Sequence, residues 1–372
     1  MIPVSNPRAG YLAHKEEIDE AIHAAVDSGQ YVMGAAVEAF EQEFATYTQS
    51  RHAIGVASGT DAIEMILRAL GIGPGDEVIT VAQTATGTVA PIAMVGASPV
   101  FVGVERETMC MNPVGIERAI TAKTAAIMPV HLFGRACDIA TIEAIADDHG
   151  LYLIEDACQA HGAMALGWKV GGFGIAGAFS HYPTKNLNCL GDGGSIVTDD
   201  DELADKLRHM RFYGWDDSKN TSVVCGQSRL DTIQAAVLSV KLKYLDKENQ
   251  RRRDIARVYS EVFEDLEDSG KCGAGYYSTD YDSLGNVFHQ YVIFVSNRGE
   301  IRAALAENGI STSIHYPVAV ENQFAYTKYT SHTGREPWLI NKWIMSLPMY
   351  PELTDSEVEH VAESLRDVFW KE

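Results

Sequence analysis

The 372-residue sequence has no apolar stretch long enough to span a bilayer, and its N-terminus lacks the long apolar core of a signal peptide. Cysteine is scarce. There are six, at positions 110, 137, 158, 189, 225 and 272, with no Cys-x-x-Cys pair and no metal-type spacing, so neither a disulfide framework nor a metal centre is expected. Basic residues are in short supply, 30 Lys and Arg against 51 Asp and Glu, for a formal net charge of −21. That balance argues against nucleic acid as a partner, because neutralising phosphates requires a basic patch. It does not argue against a small anionic ligand, which needs only a locally positive site, and most of the acidity reads as solubility. There is no internal repeat and no low-complexity tract. No metalloprotease spacing of His and Glu is present, and no Gly-x-Ser-x-Gly elbow. With 46% hydrophobic and 22% charged residues, close to ordinary globular usage, a reduced, cytoplasmic protein is the expectation, with no membrane partner.

A chain of this length exceeds what one core usually holds. The pattern predicts a large domain over 1–245 and a small one over 246–372. Helical periodicity covers 16–26 and 37–47 around a glycine turn. Short apolar strands follow at 53–57, 78–81, 99–102, 125–130 and 151–154, with helices at 62–70, 86–96 and 139–149 between them. This alternation predicts a mostly parallel sheet covered on both faces. After Gly191 the pattern changes. Residues 195–198 read as an edge strand, and helices are predicted at 201–212 and 230–247, the second long enough to join two domains. A strand at 290–295 and helices at 300–308 and 355–370 predict a small α+β unit.

Two segments carry the chemistry. Ile154-Glu155-Asp156-Ala157-Cys158-Gln159 places an acid at the end of an apolar run. Ser180-His181-Tyr182-Pro183-Thr184-Lys185 places a lysine in a polar turn, 29 positions after Asp156 (185 − 156). A pyridoxal phosphate enzyme requires that pair: an amine to hold the cofactor aldehyde, and a carboxylate facing the pyridine nitrogen. Taken alone, Asp156 reads more readily as a helix N-cap and Lys185 as an exposed loop lysine; together they point to the cofactor. Ser58-Gly59-Thr60-Asp61 lies between a strand and a helix, where backbone N–H groups can bind phosphate, although Ser, Thr and Asp also serve as plain caps. Ser180 supplies a further hydroxyl. Gly172-Phe173-Gly174-Ile175-Ala176-Gly177 fits G-x-G-x-x-G, but a strand-like stretch follows it where a dinucleotide motif needs a helix, so it reads as a loop.

On these residues the chain resembles the DegT/StrS family of pyridoxal phosphate-dependent nucleotide-sugar aminotransferases. The resemblance extends to Gly71-Ile72-Gly73-Pro74-Gly75-Asp76, Pro129-Val130-His131-Leu132-Phe133-Gly134 and Ser228-Arg229-Leu230-Asp231. It implies an α/β fold of type I (aspartate aminotransferase-like). That means a large domain with a seven-stranded, mostly parallel sheet, a small C-terminal α+β domain, and a homodimer with sites at the subunit interface. The cofactor implied is pyridoxal 5′-phosphate, with pyridoxamine phosphate as its alternate form, and no metal. By similarity Lys185 carries the cofactor, Asp156 faces its ring nitrogen and Gln159 lies by the ring. Gly59, Thr60 and Ser180 hold the phosphate. Gln227 stands where an asparagine usually reaches across the dimer to the partner's phosphate. Gln83 takes a place over the ring that is often aromatic, and His181 stands where phenylalanine is usual. Arg211-Phe212-Tyr213-Gly214-Trp215 and Ile314-His315-Tyr316-Pro317 resemble the branch that aminates C3 of dTDP-linked 3-keto-6-deoxyhexoses, so Tyr182, Tyr213, His315 and Tyr316 are candidate substrate neighbours; for the aromatic residues, core packing or dimer contact is an equal alternative. The reaction implied is transfer of an amino group from L-glutamate or glutamine to a nucleotide-linked keto-sugar. Amination at C4, or a dehydratase or lyase reaction, would use the same cofactor residues. Members that remove a hydroxyl carry histidine at the lysine position, so Lys185 favours transamination.

Overall fold

A computed structural model describes residues 1–372 except 217, 222, 270–273, 277–279, 330, 333–336 and 371–372; Cys272 lies outside the described residues. Its centre is one twisted sheet. Across it the strands run His52–Val56, Gly194–Thr198, Ala176–Ser180, Tyr152–Asp156, Thr124–Ile127, Glu77–Val81 and Ser98–Val102, and the two-residue strand Ser331–His332 is appended at the end. From Ala176–Ser180 onward every pairing is parallel. The predicted seven-stranded, mostly parallel α/β sheet is therefore present, with a short eighth strand contributed late in the chain.

Helices cover both faces, which is why the strands read as continuous apolar runs. On one face, Ile63, Ile66 and Leu67 of the helix Gly59–Ala69 pack with Ile54, Ile154 and Ile196 of the strands. On the other, Ile139, Ile142 and Ala146 of Ile139–His149 pack with Ile79, Val100 and Ile127. A second core joins Ile255, Tyr259, Val262 and Phe263 of the helix Leu245–Asp268 to the strands Tyr291–Val295 and Ile344–Leu347 and to the helix Asp355–Trp370.

Two expectations need correction. Gly194–Thr198 is an interior strand, antiparallel to both neighbours and buried at all five positions; the edge is His52–Val56. The predicted helix 230–247 is two helices, Thr232–Leu242 and Leu245–Asp268. The chain tightens between them, where Tyr244 N–H donates to Lys241 O at 3.0 Å, and the apolar periodicity continues across the break and conceals it. The longer helix thus contains 249–253, and Asn249, Arg252 and Arg253 in it are buried.

The parallel strands end on one side of the sheet, where open α/β sheets bind ligands. Late chain segments return to that edge: Val320 N–H donates to Ala82 O at 2.9 Å, just beyond Glu77–Val81. Among the described residues no helix is long and apolar enough to cross a membrane.

Candidate active site

Asp156 is the last residue of its strand and is buried. Turns follow it, not a helix, so it caps nothing. Its Oδ1 accepts from Cys158 N–H at 3.1 Å and its Oδ2 from the Thr88 hydroxyl at 2.7 Å. Thr88 in turn accepts from Thr84 at 2.8 Å. Two threonines from the helix Thr86–Met94 and its approach thus aim the carboxylate. Sequence reasoning missed both; the only signal was threonine at the start of a small-residue helix.

Lys185 lies in the turn after Ala176–Ser180. Its N–H donates to Tyr182 O at 2.8 Å, and the Asn188 amide donates to Pro183 O at 2.8 Å and to Lys185 O at 2.9 Å. The amine makes no hydrogen bond with another described residue. Burial lowers its pKa, and Cys158 and the Asp156 carboxylate pull in the opposite direction. Acid and amine, remote in sequence, are brought together by parallel neighbouring strands, Asp156 pairing with Ala178 of the strand that leads to Lys185.

Beside them is a cradle. Ser58 caps the helix Gly59–Ala69 by accepting from Asp61 N–H at 3.1 Å, which leaves the first-turn N–H groups of Gly59 and Thr60 without intrahelical partners. A Cβ at Gly59 would lie 2.7 Å from both Cys158 Sγ and Ser180 Cβ, so only glycine lets the helix start close onto the strand that carries Ser180. A helix start with unpaired N–H groups, two hydroxyls and a close-packed glycine suit a phosphate. A neighbouring acid and amine suit the pyridine and aldehyde ends of pyridoxal phosphate. The residues fit that cofactor.

Gln159 is buried. Its Oε1 accepts from Phe133 N–H at 2.8 Å and its Nε2 donates to the Tyr316 hydroxyl at 3.1 Å. Burial pushes the Tyr316 phenol up to about 12. His315 is half-buried and bonded through Nδ1 to Ser346 Oγ at 2.8 Å; burial and the nearby Lys185 charge push it down to about 4. Gln83 is buried as well, and its polar atoms are committed to the C-terminal part of the chain: Nε2 donates to His315 O at 3.4 Å and Oε1 accepts from Asn341 Nδ2 at 2.6 Å. Other residues stand apart. Tyr182 is 52% exposed. The Tyr213 hydroxyl donates to Gln227 Oε1 at 2.6 Å, on a loop with no hydrogen bond among the described residues to Lys185, Asp156 or Gln159. Within one chain these two do not join the group.

The G-x-G-x-x-G decoy has a definite use. Gly171, Phe173 and Gly174 donate their N–H groups to the buried Glu155 carboxylate at 2.7, 2.7 and 3.2 Å. The loop's donors are spent on a side chain next to Asp156, and the strand Ala176–Ser180 follows.

His181 is a core residue. Its Nδ1 donates to Leu187 O at 3.2 Å, its Nε2 accepts from Ser195 Oγ at 2.8 Å, and Phe40 and Phe44 pack edge-on against it. Burial pushes it down to about 4 and also lowers His161 and His289. In the unfolded chain these imidazoles protonate near pH 6.5. The unfolded state therefore binds more protons between about pH 6.5 and 4, and stability falls as pH drops through that window. We expect thermal melting several degrees lower at pH 5 than at pH 7.5, with a smaller drop in His181→Phe; an unchanged drop in the variant would assign the acid sensitivity elsewhere.

Residues 13–366 match the family described as "DegT/DnrJ/EryC1/StrS aminotransferase family". The chain is 40% identical to a "Pleiotropic regulatory protein" of Geobacillus stearothermophilus, over 99% of this chain and 98% of that protein. It is 39% identical to a "dTDP-3-amino-3,4,6-trideoxy-alpha-D-glucose transaminase" of Streptomyces venezuelae, over 100% of this chain and 96% of that protein. The solved structure of S. venezuelae DesV, in complex with a ketimine intermediate, superposes with a TM-score of 0.92 at 39% identity, covering 99% of this chain and 98% of that one. Solved structures of other similar chains hold the cofactor as pyridoxal or pyridoxamine phosphate.

Proposed function

Because the chain belongs to the DegT/DnrJ/EryC1/StrS aminotransferase family, we propose that it transfers an amino group from L-glutamate or glutamine to a nucleotide-linked keto-sugar, C3 of a dTDP-linked 3-keto-6-deoxyhexose being the favoured acceptor. The observation that carries this reading is that Asp156 ends one strand and Lys185 follows its parallel neighbour Ala176–Ser180, Asp156 pairing with Ala178, beside the Gly59–Ser180 cradle. Pyridoxal phosphate, when bound, supplies the electron sink for the substrate carbanion.

Each residue then has a task. Gly59, Thr60 and Ser180 hold the phosphate at a helix start. Asp156, aimed by Thr88, keeps the ring nitrogen protonated, since an adjacent opposite charge favours the charged form. Lys185 would hold the cofactor aldehyde, and its amine is the group placed to take the proton from the donor's α-carbon. A desolvated lysine suits this shuttle, because its lowered pKa leaves more of it neutral and able to accept. Gln159 lies by the ring, and His315 and Tyr316 border the substrate side. Gln227 and Tyr213 face a second copy of the chain in a homodimer, where Gln227 reaches the partner's phosphate. Residues 1–245 form the cofactor domain and 246–372 the small domain. A purely regulatory descendant predicts loss of Lys185 or Asp156, and the chain keeps both.

The test is the visible spectrum of the purified protein before and after glutamate. A yellow band that glutamate bleaches, with an equal amount of 2-oxoglutarate formed, is the expected result. A band that neither glutamate nor glutamine changes would overturn the donor, and no band after addition of pyridoxal phosphate would overturn the cofactor and the reaction together.

A further inference from the structure

We propose that Asn341 and Gln83 form a positioning pair that fixes the His315–Tyr316 segment against Gln159; the catalytic consequence rests on the aminotransferase reading. Asn341, in the short helix Pro337–Trp343, is buried, as is Gln83. One Asn341 amide nitrogen donates twice, to Gln83 Oε1 at 2.6 Å and to Tyr316 O at 2.6 Å. These acceptors belong to different parts of the fold: Gln83 sits just beyond the strand Glu77–Val81 of the large sheet, and Tyr316 in the returning C-terminal segment. The two N–H directions of a planar amide are fixed, so serving both acceptors sets their relative position.

The bonds form a closed set. Gln83 Nε2 donates to His315 O, Ser346 Oγ bonds His315 Nδ1, and Gln159 Nε2 donates to the Tyr316 hydroxyl. Tyr316 is thereby held at its backbone by Asn341 and at its ring end by Gln159. The Asn341 Oδ1 atom is buried without a partner among the described residues, so its two N–H bonds alone dictate how this amide is turned. Removing one member leaves a buried donor or acceptor unpaired, which makes such bonds more costly to break than their net contribution when made. Asn341 touches no reacting atom in this scheme; it acts through Tyr316 and through Gln83, both of whose amide ends are taken by the C-terminal segment.

Two measurements on Gln83→Met, Asn341→Leu, the double variant and the milder Asn341→Ser separate this role from general damage. Backbone amide exchange of the purified protein reads the pair without any substrate. Exchange over 313–323 is expected to rise about tenfold in each single variant, with 154–160 unchanged. Rapid mixing with L-glutamate reads the consequence: the yellow band forms as in wild type, its maximal bleaching rate falls about tenfold in either single variant, and the double variant is no more than about twofold worse than either, because both remove one shared linkage. Unchanged exchange over 313–323, or single losses that multiply to about a hundredfold in the double variant, would overturn the proposal. If wild type is itself unbleached by glutamate, the donor assignment fails while the exchange result still decides the pair.

Discussion

Replacing Lys185 by alanine is expected to abolish turnover while leaving the cofactor able to bind without covalent attachment. Gly59, Thr60 and the Asp156–Thr88 pair come from other segments, and Ser180 ends the strand before the turn, so none of them depends on the amine. Proton transfer by a positioned group alone contributes about 10²–10⁴-fold, and the variant loses the anchoring bond in addition. Borohydride should fix the cofactor to the wild-type chain and not to the variant, and glutamate should no longer bleach the band at a measurable rate. Wild-type bleaching by Lys185→Ala would remove Lys185 from the mechanism. The turn itself survives the change, because Asn188 clamps it through the carbonyls of Pro183 and Lys185, not through the lysine side chain.

Replacing Glu155 by alanine is expected to cost stability on the order of 3–5 kcal/mol, comparable to breaking a buried ion pair from one side. The carboxylate is buried and accepts from four donors: the N–H groups of Gly171, Phe173 and Gly174, and His131 Nε2 at 3.0 Å. His131 Nδ1 is occupied by Cys137 N–H at 3.0 Å, which places the imidazole proton on Nε2 facing the carboxylate. Alanine strands all four donors away from water, where each unpaired group costs about 1–3 kcal/mol before relaxation. Glu155→Gln should recover little, because its amide turns donors toward donors. Chemical denaturation of both variants measures this. A loss below about 1 kcal/mol would mean that the 171–174 loop finds other partners, and the account of the glycine-rich decoy would fall with it.

Much of the site was legible because its signals are local. A carboxylate ending an apolar run, a lysine in a polar turn, and Ser-Gly-Thr-Asp between a strand and a helix each announce themselves within a few residues. The strand–helix alternation likewise fixed the sheet class, since a strand buried on both faces must be apolar throughout. Other features had no local signature. Thr88 is 68 residues from the Asp156 that it aims, and Gln83 is 258 residues from Asn341; no spacing rule reaches so far. A buried five-residue run such as Gly194–Thr198 reads the same at an edge as inside a sheet, and only its pairing on both sides decides. His181, beside the lysine turn, invites a role in the site, and its burial against Phe40 and Phe44 makes it core.

What the sequence by itself determined is therefore the chemistry available: an amine, an acid, hydroxyls and a glycine at a helix start, and a mostly parallel sheet to carry them, because residue type and short-range periodicity encode these directly. The tertiary structure alone decided which polar groups are free for that chemistry and which are spent on holding it in place. Glu155, His181 and Gln83 are all committed to partners, those of Gln83 more than two hundred residues away, since a buried polar group must find its hydrogen bonds wherever the fold brings them.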